Sequence, residues 1–151
     1  MTAGTPISGN HVMLRSGALR LLLPQAAVRA AEHRHGMPVP TGRFGVFELQ
    51  GEGVTRLVIA PSGCLRPLAA YPIERFVITQ LQGCEDDVPW LAWDEVRVFI
   101  DMQFERWPLP AAVAMPGLPV EGYVELGPDL AFTAQASALA AHVHGRPGGA
   151  S

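Results

Sequence analysis

The chain has 151 residues, of which 48 % are hydrophobic and 17 % charged, with a net charge of -3. So apolar and weakly charged a chain is not disordered throughout, and its acidic balance argues against nucleic acid as the main partner. All eleven basic residues are arginine, which removes P-loop, Schiff-base and pyridoxal chemistry, since each needs a lysine.

In chain order, residues 1–10 read as a disordered start, small and polar. MTAGTPISGN has neither a basic region nor an apolar run, so no secretory signal is expected. Apolar runs at 11–15 and 18–23 flank Ser16-Gly17 and predict a β-hairpin. Pro24 precedes an alanine-rich stretch, Gln25 to Glu32, that reads as a short helix. Gly36, Pro38, Pro40 and Gly42 make the next segment a loop. Runs at 44–50 and 54–60 around Gly51-Glu52-Gly53 predict a second hairpin. Residues 61–72 read as irregular, with a short helix near 65–70. A strand is expected over 75–81, and an acidic turn at Glu85-Asp86-Asp87. Residues 90–100 read as a strand pair or one long bent strand. The prolines of 102–119 require extended or looped backbone. A third hairpin turns at Gly127-Pro128-Asp129, a short helix follows over 136–143, and 144–151 reads as a flexible tail. Eight or nine short strands with tight turns suit an all-β barrel or a pair of small barrels.

Few residues carry chemistry. Cys64 and Cys84 form no framework, sit in no C-x-x-C motif, and read as reduced thiols. The pairs His33/His35 and His142/His144 have a spacing that can suit a metal, but they fall in a loop and a tail and read as exposed polar residues. Asp94 stands in an otherwise apolar strand, where a carboxylate accepts backbone N–H bonds at a turn or edge. Trp90, Trp93 and Trp107 read as core or as a partner-facing aromatic patch. No catalytic constellation, cofactor motif, metal site or membrane span is read from the residues, and a cytoplasmic location is expected.

The order of elements resembles the CheW-like family of chemotaxis coupling proteins. Leu23-Pro24 leading into Val28-Arg29-Ala30-Ala31-Glu32 is similar to the family's strand, proline and Val-Arg-Glu-like signature. Gly45-Val46-Phe47-Glu48-Leu49-Gln50-Gly51 resembles its Gly-Val-x-x-Leu-Arg-Gly strand and turn, with 54–60 as the returning strand. Leu91 to Val96 resembles Gly-x-x-Val-Asp-x-Val, Pro108 to Pro110 its proline-bearing segment, and 121–139 its closing hairpin and helix. The resemblance spans 11–143 as a single domain. Three positions depart: Gln50 replaces a usual arginine, Ala60 a common aspartate, and Gln135 the usual Leu-Asp. The chain thus looks like a divergent member, of the kind expected in a chemosensory system for type IV pili or surface motility.

The resemblance implies two five-stranded, SH3-like β-barrels packed together. It implies a non-catalytic adaptor that couples the cytoplasmic tip of a chemoreceptor to the regulatory domain of a histidine kinase, with no cofactor. Contacts are expected at Gln50-Gly51 and in an apolar groove near Val46, Leu57, Val58 and Ile59. A small-barrel module that binds another protein, a peptide or a small ligand is the alternative. An enzyme would need convergent polar groups in a pocket.

Overall fold

In the computed structural model, residues 4–50, 53–85, 88–110 and 119–144 are described. Strand β1 (Thr5–Ser16) turns at Gly17 into β2 (Leu19–Pro24). A 3-10 turn (Gln25–Ala27) leads to β3 (Val28–His33), β4 (Val39–Pro40), β5 (Val46–Gln50) and β6 (Thr55–Ile59). Then come β7 (Val77–Leu81), β8 (Trp90–Trp93), the long β9 (Glu95–Pro108), β10 (Val120–Leu126), β11 (Asp129–Ala134) and helix α1 (Ala136–Val143).

The two ends of the described chain build one body. Strands β1-β2-β11-β10-β9 form a closed barrel, sealed by a parallel pairing of β11 with β2. The middle builds a six-stranded sheet in the order β3-β7-β8-β6-β5-β4. The uninterrupted apolar runs of β1 and β2 follow from burial on both faces. Met13 and Leu22 point into the barrel with Val124 and Ala131. Val12, Leu14, Leu21 and Leu23 point outward into a second core shared with Val46, Ile59, Leu91, Trp93 and α1. A third core lies on the sheet's other face, around Phe47, Val58, Ile78 and Trp90. Alternate residues of β5 and β6 therefore serve different cores, as the period of two requires.

All three expected hairpins form, and α1 occupies the expected residues. Other expectations need correction. Residues 5–10 are not a disordered start but the first half of β1, paired with the far end of β9 from Thr5↔Arg106 to Gly9↔Met102. The paired residues lie 93 to 101 positions apart, so no local pattern announces the pairing; the ladder supplies the backbone partners. The stretch 28–32 is a strand rather than a helix. Val28–His33 pair with β7, and an alanine-rich segment yields its helical propensity to that ladder. No helix forms over 65–70. Leu65 has φ 61, outside the helical region, and Pro61 bridges to Pro67. The expected loop at 33–43 holds the two-residue β4, which ends on a proline that cannot donate to a ladder. The tail beyond His144, Asp86-Asp87 of the acidic turn and 111–118 lie outside the described residues.

Candidate functional site

Asp94, the carboxylate that follows the apolar run of β8, sits at the break between β8 and β9 and is structural. It accepts the Gly17 N–H at 2.6 Å, and Arg75 grips both its oxygens at 3.0 and 3.1 Å. Arg75 is 4 % exposed and also donates to the carbonyls of Pro61 (2.6 Å) and Ala92 (3.1 Å). The group ties the β1–β2 turn of the barrel to the loop before β7, so the two bodies share one buried ion pair. Burial pushes Asp94 upward, but the Gly17 N–H and the Arg75 guanidinium outweigh it and hold its pKa below the ordinary value. A depressed folded pKa means the unfolded chain takes up the proton first. This stability is therefore full above the ordinary aspartate pKa and is lost as pH falls through that value toward the folded one. Acid titration of the unfolding free energy, compared between wild type and Asp94→Asn, is expected to show a smaller acid-side loss in the variant.

The residues expected to line an apolar docking groove are mostly core. Val58 is fully buried, Val46 and Ile59 are buried and Leu57 is half-buried. Each faces a neighbouring strand or α1, so Val58→Asp would damage the core rather than report on docking. Gln50 is exposed at the end of β5, donating to Glu48 and accepting from Thr55. Gly51 lies outside the described residues. Ala60 is fully buried, and Gln135 caps α1 through its backbone only. Trp90 and Trp93 are core, with Trp93 Nε1 donating to Thr79 at 2.8 Å, while Trp107 is half-buried.

Gln50 does border a cavity of about 230 Å³ between β3 and the β5–β6 hairpin. Glu32, His33, Arg34, His35, Val54 and Arg56 form its other exposed or half-exposed walls. Arg56 pairs with Glu32 at 3.0 Å and lies 4.4 Å over the Trp90 ring. Arg34 was not singled out from sequence, yet it organises this face. It donates to the carbonyls of Gly36 (2.6 Å), Arg75 (3.2 Å) and Ile73. Its guanidinium stands 4.8 Å over Phe76 and 5.7 Å over Tyr71. Around it, Met37, Ile73 and Phe76 are 65 %, 62 % and 53 % exposed. A guanidinium held by three backbone acceptors thus stands among three exposed apolar side chains. The only sequence signal was the run of turn residues 34–42, which says loop and not patch.

Among the described residues, no group of three or more His, Cys, Asp or Glu gathers to hold a metal. His33 and His35 border the cavity just described, and His142 and His144 border another at the end of α1. Cys64 is exposed, and burial pushes the half-buried Cys84 thiol up, away from thiolate chemistry. Burial likewise drives the Tyr71 hydroxyl up to about 12, against the pull of Arg34 and Arg75; it donates to the Arg75 carbonyl. No helix among the described residues is long and apolar enough to cross a membrane. The sequence matches no protein-family model, and no curated protein matches it.

Proposed function

We propose that this protein is a non-catalytic adaptor of the CheW-like kind, coupling a chemoreceptor tip to the regulatory domain of a histidine kinase in the cytoplasm. In this reading, the six-stranded sheet stands for the second SH3-like barrel of the family, and the closed barrel is the first. The order of elements supports it, with the closed barrel built from both ends of the chain and the second unit inserted between them. The observation that carries the reading is the exposed apolar patch of Met37, Ile73 and Phe76 held by Arg34. A pre-ordered patch of aromatic and aliphatic side chains beside an arginine is suited to protein docking, because little freedom remains to be lost on binding.

The contact expected around Gln50-Gly51 and the buried apolar strands therefore moves to the exposed residues around Arg34. The double substitution Ile73→Asp/Phe76→Asp changes only exposed side chains and is expected to leave the fold intact. Binding to the kinase regulatory domain, read by calorimetry, should weaken at least about thirtyfold, as loss of one hot spot implies. Unchanged affinity in a folded double variant would remove this patch from the interface. The exposed patch serves a peptide-binding module equally well, and failure of both kinase and receptor fragments to bind would favour that alternative.

A further inference from the structure

A second cavity, of about 340 Å³, opens where the start of β5, the 61–68 loop and the end of α1 meet. It shares no lining residue with the cavity beside Gln50. Its floor is apolar: Val46, Ile59, Leu65 and Val143 are buried there. Its rim carries Arg43, Arg66 and His142, with Phe44 standing 76 % exposed.

Three observations set this cavity apart. First, every other described arginine side chain meets a carboxylate or a backbone carbonyl. Arg43 and Arg66 have no such partner among the described residues, and both line this one cavity. Second, the lining holds no carboxylate among the described residues, although the chain's net charge is -3. The cavity beside Gln50, a cavity between Cys84 and α1, and one between β1 and β9 each include a glutamate. Third, the loop that presents Arg66 is built at a cost. Leu65 is a bulky residue at φ 61, a conformation it rarely adopts, and it is fully buried. Ser62 holds the loop there, its hydroxyl accepting from the N–H groups of Cys64 and Arg66 and its carbonyl from Leu65. Gly45, at φ 75, lets β5 approach closely, since a Cβ there would stand 2.5 Å from the Pro67 Cβ.

We propose that this cavity docks an acidic segment of a partner protein. One Asp or Glu carboxylate would sit between Arg43 and Arg66, with an adjacent aliphatic or aromatic side chain on the Val46–Ile59–Leu65 floor beside Phe44. The α1 carbonyl end at this cavity carries about half a negative charge, which two guanidiniums exceed several-fold. A bare small anion would use the arginines but leave the apolar floor and Phe44 uncovered. This inference rests on the cavity's own chemistry and stands apart from the adaptor reading, which concerns a different surface.

The test is selection of a random dodecapeptide display library on the full-length protein, followed by methyl NMR of Val46 and Ile59 and affinity measurement. Selected peptides should be enriched in Asp or Glu next to Leu, Ile or Phe and should shift those methyl signals. Binding should weaken about tenfold in Arg43→Ala/Arg66→Ala, as two exposed ion pairs imply. Ile73→Asp/Phe76→Asp should leave it unchanged. Among the described residues the double arginine variant removes no side-chain hydrogen bond or ion pair, so its thermal midpoint should match wild type and serves as the folding control. Selected peptides without acidic enrichment, peptides whose shifts spare Val46 and Ile59, or full affinity in the folded Arg43→Ala/Arg66→Ala protein would each overturn the proposal.

Discussion

Arg75→Ala is expected to cost about 3–5 kcal/mol of stability, the loss typical when one partner of a buried ion pair is removed. Asp94 would remain as a largely buried charge without its counterion, and the carbonyls of Pro61 and Ala92 would lose the donor they share. Against a total stability of about 5–15 kcal/mol for a natural domain, that loss leaves a large unfolded fraction at ambient temperature. Urea denaturation reads it directly. Because an intact ion pair and an apolar replacement can be similar in energy, Arg75→Met/Asp94→Asn is expected to lose less than the two single variants added together. A loss below about 1 kcal/mol for Arg75→Ala, the range of exposed pairs, would show that the clamp does not hold the two bodies together.

The second large effect is expected at Leu139→Ala, at about 2–5 kcal/mol, the usual range for truncating a fully buried leucine. Leu139 is completely buried and, with Val143, inserts α1 into the core that joins β1 and β2 of the barrel to β5, β6 and β8 of the sheet. Truncation should therefore weaken both bodies at once. Unfolding followed by the fluorescence of the tryptophans, with Trp93 in that same core, and by far-ultraviolet circular dichroism should give coincident single transitions in wild type and variant. Two separated transitions would mean that barrel and sheet fold independently and that α1 belongs to only one of them.

Local signals made much of the fold readable. The hairpins at Ser16-Gly17, 51–53 and 127–129 carry turn residues between apolar runs, and α1 follows an alanine-rich stretch free of proline and glycine. What failed was non-local. The first half of β1 pairs with residues 102–106, and β3 is a strand only because β7 lies beside it. The site was less legible still. Apolar residues on β5 and β6 were expected to face a partner, but both faces of that hairpin are covered, by different cores. Arg34, Ile73 and Phe76 come from two loops and a strand edge, and no spacing in the sequence links them. Asp94 was legible as a carboxylate that accepts backbone N–H bonds, whereas Arg75, its 19-residue-distant partner, gave no signal.

The adaptor reading makes one demand that a simple binding module does not: two partners must be held at once. The direct measurement immobilises a chemoreceptor cytoplasmic tip fragment and asks whether a chemotaxis histidine kinase is retained. The account predicts retention only when this protein is present, and loss of retention with Ile73→Asp/Phe76→Asp. Kinase retention that is the same with and without the folded wild-type protein would contradict it.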